Sequence, residues 1–238
     1  MKLKLLHLYP DAMNLYGEYA NMKLLSRALC SFGHEVQIDT LLLTERKDIS
    51  DYDLYYMGAG TEQKLKQVIP ALLANKDTLR VAVDQGKLLL FTGNACDLLG
   101  ASVTDAEGNT YSCLGFGDFV SVEGKRRITG DCVGTMEGVE GDLVGFINKC
   151  SLTKNVDKPL ISLRMGFGNE KEKGADGFRV NNCIGTHVTG PILVKNPKLL
   201  RYILSLLLGE EVPAVKDDYA EKAYEITRRA LLARMEQK

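Results

Sequence analysis

The chain has 238 residues, 45% of them hydrophobic, with 30 Lys and Arg against 31 Asp and Glu and a formal net charge of −1. That length and apolar fraction suit one well-buried domain, and no run of either sign supplies the basic patch a nucleic-acid partner requires. Apolar runs near Leu88 and Ile203 fall well short of the roughly 20 residues that span a bilayer, and the first residues lack the apolar centre of a leader, so a soluble, cytoplasmic protein with no membrane span is expected.

In chain order, short apolar or alternating runs predict strands over 2–8, 35–42, 53–57, 87–92, 116–122, 160–165 and 183–194. Helical spacing appears over 21–32, where Leu24, Leu25, Ala28 and Leu29 share a face, and again over 62–74, 197–208 and 217–235. Strand and helix alternate through the first hundred residues, which predicts an α/β fold with a mostly parallel sheet flanked by helices, followed by a β-rich, glycine-punctuated second half. In the last helix Tyr219, Ala223, Ile226, Ala230 and Ala233 recur every three or four residues. That stripe is expected to pack on the parent domain, giving a domain over 1–212 and a C-terminal helical segment over 213–238 docked on it.

Lys87-Leu88-Leu89-Leu90-Phe91-Thr92-Gly93-Asn94-Ala95-Cys96-Asp97 reads as a strand that turns sharply into a helix, the form of a nucleophile elbow. The residue at the turn is Gly93, which has no side chain to attack with. A second glycine turn, Gly58-Ala59-Gly60, follows the 53–57 strand. Ligands in open α/β sheets bind beyond the carboxyl ends of the strands, so a site is expected between these two turns. The six cysteines (Cys30, Cys96, Cys113, Cys132, Cys150, Cys183) show no paired spacing, and only His7, His34 and His187 could join them. Neither a metal nor a cofactor is expected from that pattern.

Taken together, the motifs resemble class I glutamine amidotransferases, and within them the glutaminase subunit GatD of lipid II isoglutaminyl synthase and the cobyric acid synthase glutaminases. Leu8-Tyr9-Pro10-Asp11-Ala12-Met13-Asn14-Leu15-Tyr16-Gly17 with Asn21 matches the opening of that family, and Met57-Gly58-Ala59-Gly60-Thr61 its second glycine loop. Arg127-Ile128-Thr129-Gly130-Asp131, Gly145-Phe146-Ile147-Asn148, Gly166-Phe167-Gly168-Asn169 and Gly185-Thr186-His187-Val188-Thr189-Gly190-Pro191 follow in the family's order. The resemblance implies a flavodoxin-like, class I glutamine amidotransferase fold, a cytoplasmic bacterial role in peptidoglycan synthesis, and a Mur-ligase-like partner, MurT. That partner amidates an activated glutamate of the lipid II stem peptide with ammonia released from glutamine by a Cys–His pair.

The departures from the family fall on that chemistry. Laid on this chain, the nucleophilic Cys falls on Gly93, the family's Gln on Asp97, and the catalytic His on Thr189. The resemblance therefore implies a GatD-like subunit without glutaminase activity, a pseudoenzyme that binds its partner. Two alternatives stay open: an active glutaminase that uses Cys96 and His187 instead, or a sensor that holds a small molecule such as glutamine in the old pocket. For ligand binding the candidates are Gly58, Ala59 and Gly60, whose N–H groups suit a carboxylate or amide, together with Asn94, Asp97 and Arg127. An Arg127–Asp97 contact is conceivable.

Overall fold

A computed structural model describes residues 1–171 and 174–237. Five parallel strands, β1 (Lys2–Leu8), β2 (Glu35–Leu41), β3 (Leu54–Met57), β4 (Leu88–Thr92) and, late in the chain, β12 (Cys183–Thr186), form one sheet. Its order is β2-β1-β3-β4-β12, and β11 (Phe178–Val180) closes the edge antiparallel. The near-continuous apolar strands follow from burial on both faces. Leu89 and Phe91 of β4 belong to the core under α2 (Glu62–Leu73) and α3 (Lys76–Asp84). Leu88 and Leu90 belong to the opposite core, shared with α1 (Tyr19–Ser31) and α5 (Pro197–Leu208).

A second sheet holds β5 (Ser102–Thr104), β6 (Thr110–Ser112), β7 (Val120–Met136), β8 (Val139–Lys154), β9 (Ile161–Met165), β10 (Ala175–Asp176) and β13 (Val188–Thr189). Its spine is the β7–β8 hairpin, closed at Glu137-Gly138 with Met136 opposite Val139 and Gly138 at φ 80°. This sheet stands against the carboxyl ends of the first, and the candidate site lies between them. A short helix, α4 (Ile192–Lys195), leads to α5, and α6 (Asp218–Glu236) ends the fold.

Several expected elements are altered. The 116–122 strand begins only at Val120, and 183–194 divides into β12, β13 and α4. Helix α3 was not anticipated, and the long hairpin was legible only as β-rich sequence, because Gly124-Lys125-Arg126-Arg127 interrupts the alternation at a register shift. The α6 stripe faces the other way from the expectation: Tyr219 is 86% and Ile226 71% exposed, and Ala223, Ala230 and Ala233 are exposed with them. Tyr224 and Leu231 pack instead on Val133 and Val144, while Arg228 and Arg164 both pair with Asp142. The Tyr224 hydroxyl donates to the Asp142 carbonyl (2.6 Å) and Arg228 pairs with the Asp142 carboxylate, and these contacts fix the buried face of α6. Lys238, the last residue of the C-terminal segment, lies outside the described residues. No helix among the described residues is long and apolar enough to cross a membrane.

Candidate functional site

Strand β4 ends at Gly93, whose φ of 62° is the left-handed turn of an elbow. The segment that follows, Gly93–Leu99, is a 3-10 helix rather than an α-helix, and all seven of its residues are buried. A Cβ on Gly93 would sit 2.5 Å from the Ala59 Cβ. Gly58 and Gly60 are likewise glycines of close approach: a Cβ on Gly58 would meet Glu18 Cβ at 2.7 Å, and one on Gly60 would meet the Met13 sulfur. Neither carries a positive φ, so close packing, not turn geometry, demands glycine there. Of the three amides of this loop, that of Gly60 is already used. Gly60 N–H donates to Asn94 Oδ1 (3.0 Å), and Asn94 Nδ2 returns a bond to the Gly60 carbonyl (2.9 Å).

Glu18, between the Leu15–Gly17 turn and α1, is fully buried and fills the space between the two strand ends. Its Oε1 accepts from the Thr189 hydroxyl (2.5 Å) and the Gly190 amide (2.8 Å). Its Oε2 accepts from the Tyr56 hydroxyl (2.7 Å) and from Thr92. Burial first, then the Glu18 charge, holds the Tyr56 phenol well above its ordinary pKa, so it remains a donor. Thr189, where the resemblance puts the catalytic base, is thus a hydroxyl committed to a neighbouring carboxylate. One residue from the elbow, Thr92 is committed to the same group.

Behind the elbow lies a second buried network. His187 stands between two carboxylates, with Nδ1 2.8 Å from Asp176 Oδ1 and Nε2 3.0 Å from Asp97 Oδ1. Asp97 also accepts from Ser121 and Ser151 (both 2.6 Å) and Thr153 (3.0 Å), and Asp176 accepts from Thr186 (2.6 Å). Lys149 is buried beside them and reaches the Asn169 carbonyl at 3.4 Å. Burial and Lys149 depress the His187 pKa, but Asp97 and Asp176 outweigh them and raise it. Burial works against both carboxylates, yet His187 and Lys149 hold them below the ordinary range. Burial lowers the Lys149 pKa in turn, and the Asp97 and Asp176 charges oppose that fall.

Each ring nitrogen of His187 therefore faces an aspartate, and neither is left for Cys96. That thiol is 1% exposed and packs toward Gly185, where a Cβ would come within 2.8 Å of its sulfur. Burial, then the Asp176 and Asp97 charges, pushes its pKa well up, the reverse of what a nucleophilic thiolate needs. The conceivable Arg127–Asp97 contact is replaced as well. Arg127 lies at the rim, with Nη2 2.7 Å from Glu62 Oε1 and Nη1 2.9 Å from Asn148 Oδ1. Asn148 in turn donates to the Tyr16 hydroxyl (2.9 Å), and Tyr16 is held at φ 61°.

No protein-family model matches the chain. It is 27% identical over 203 residues to the GatD subunit of lipid II isoglutaminyl synthase (glutamine-hydrolyzing) from Staphylococcus aureus (strain N315), covering 85% of this chain and 83% of that one. The corresponding subunit from Streptococcus pneumoniae (strain R6) is 27% identical over 233 residues, covering 94% and 90%. A crystal structure of a glutamine amidotransferase superposes with a TM-score of 0.58 at 15% identity over 85% of this chain and 98% of that one. This chain is GatD-like, with the fold of class I glutamine amidotransferases. Within that GatD-like frame, Gly93 lies against Ala59, and the Thr189 hydroxyl is held by Glu18.

Glu18, Lys149 and Asp176 were not anticipated from the sequence. For Lys149 a signal existed: with Ser151 and Thr153 it makes a polar alternation along one face of β8, and that face is the buried one. Glu18 and Asp176 carry no local mark, because what makes them part of the site is contact with residues 171 and 11 positions away.

Proposed function

We propose that the chain serves as a GatD-like subunit in amidation of the lipid II stem-peptide glutamate, that it works with a Mur-ligase-like partner in the cytoplasm, and that it does not itself hydrolyse glutamine. On this reading residues 1–212 act as the amidotransferase-type unit and 213–238 as its C-terminal helical segment. The observation that carries it is the closure of the elbow. Gly93 offers no nucleophile, Ala59 stands where one would need room, and Glu18 binds the hydroxyl at the base position. An oxyanion hole also needs free, aimed donors, and the Gly60 amide is taken by Asn94.

The test is ammonia release from glutamine by the purified chain together with its Mur-ligase-like partner. We expect no release above that of the partner alone, and no change in Cys96→Ser. Ammonia release that disappears in Cys96→Ser would establish the displaced-nucleophile alternative instead. Retention of the ligase by the tagged chain tests the partnership separately, since an unretained ligase removes that half of the reading.

A further inference from the structure

The second sheet carries its polarity inside out. Lys149, Ser151 and Thr153 point from β8 into the buried network, so the alternate residues Cys150 and Leu152 face outward, and both are partly exposed. Across the ladder Leu152 is opposite Val122, which is 38% exposed, and Phe167 just beyond β9 is exposed to the same extent. A sheet face of this kind is ordinarily covered.

Beside this apolar strip the β7–β8 register shifts between Glu123 and Ile128, so that Gly124-Lys125-Arg126-Arg127 bulges out opposite Cys150. Lys125, Arg126 and Lys171 rim a groove floored by Cys150, Leu152 and Phe167. Arg127 is neutralised by Glu62, whereas the three rim cations have no carboxylate partner among the described residues. A second copy of the chain is a poor occupant, because an isologous contact would set this cationic rim against itself.

We propose that this groove is the docking surface for the ligase partner, which enters it with a segment bearing carboxylates around at least one large apolar side chain. The inference rests on the partner reading above and adds where and by what chemistry the partner is held. Apolar anchoring supplies the contact, and the rim charges steer and align it.

The test measures binding of the purified Mur-ligase-like partner to the intact chain by calorimetry across about 50 to 200 mM salt, a range over which charge steering is progressively screened. The triple variant Lys125→Glu, Arg126→Glu, Lys171→Glu is expected to weaken binding by about ten-fold or more and to flatten its salt dependence, and Phe167→Asp to weaken it by a similar factor. Tyr219→Ala with Ile226→Ala, on the exposed face of α6, is the control expected to bind as the parent does. Thermal melts establish that each variant is folded. If the parent binds and both groove variants bind within about two-fold of it, the groove is wrong while the partnership stands. If the parent itself does not bind the ligase, the partner reading falls and this surface falls with it.

Discussion

Ala59 and Gly93 meet across the carboxyl ends of β3 and β4 so closely that a methyl group added to Gly93 would lie 2.5 Å from the Ala59 Cβ. The Ala59 methyl group stands in the space that a Cβ at position 93 would enter, so a side chain at 93 requires Ala59 to give way.

Gly93→Cys alone is expected to destabilise the fold by about 1–3 kcal/mol, from overpacking against Ala59 together with the cost of a side chain in the left-handed region. Adding Ala59→Gly removes the overpacking and leaves the backbone cost. Urea melts of the two single variants and the double variant close a thermodynamic cycle. A coupling energy near zero would show that the two positions do not constrain each other.

Glu18→Gln tests the plug. The carboxylate accepts from the Thr189, Thr92 and Tyr56 hydroxyls and the Gly190 amide, and an amide would set two N–H donors among groups that are themselves donors. A loss of about 2–4 kcal/mol in unfolding free energy is expected, the cost of buried polar groups left unpaired. A loss below about 0.5 kcal/mol, within the scatter of surface substitutions, would mean that Glu18 does not organise this site.

Thiol labelling separates a buried cysteine from a reactive one. Cys30 is exposed, whereas Cys96 is buried with its pKa pushed well up. Under native conditions iodoacetamide should modify Cys30 and leave Cys96 unmodified until the chain unfolds. Mass spectrometry of the peptides reads both sites, and prompt native labelling of Cys96 would restore it as a candidate nucleophile.

The two buried histidines give pH effects of opposite sign. Burial lowers His7 from 6.5 to about 4, and its Nε2 has no partner among the described residues. Between those values the unfolded chain binds more protons, so the His7 contribution to stability falls as pH drops through that window, by up to about 3 kcal/mol. His7→Phe should flatten this slope in melts recorded from pH 7 to 4. His187 is raised by Asp97 and Asp176. Its contribution is therefore complete below pH 6.5 and is lost as pH rises through the folded value. Relative to the parent, His187→Gln should cost most at acid pH and less as pH rises, and a penalty independent of pH would contradict the charged pairing.

Much of the architecture is local in origin and was legible as such. The 197–208 helix coincides with α5, where Pro197 sits in the first turn and Gly209 adopts the left-handed terminal position at φ 70°. The apolar run 88–92 is a strand buried on both faces, and the two glycine turns do lie at adjacent strand ends, as β3 and β4 are hydrogen-bonded neighbours. The α6 stripe shows where periodicity stops being informative. Two faces of that helix carry apolar residues, and only the position of Asp142 and of the Val133–Val144 floor selects the one bearing Tyr224 and Leu231.

The sequence by itself determined the α/β plan, the family frame and the absence of a nucleophile at Gly93, because each rests on residue type and on spacing along the chain. Tertiary structure alone decided what stands against Gly93 and which groups the two nitrogens of His187 meet. Ala59 packs onto Gly93, Glu18 captures Thr189, and Asp97 and Asp176 take both nitrogens of His187 away from Cys96. Those outcomes depend on distances between side chains drawn from distant segments and on which buried charges find partners. Both quantities arise only when the two sheets come together.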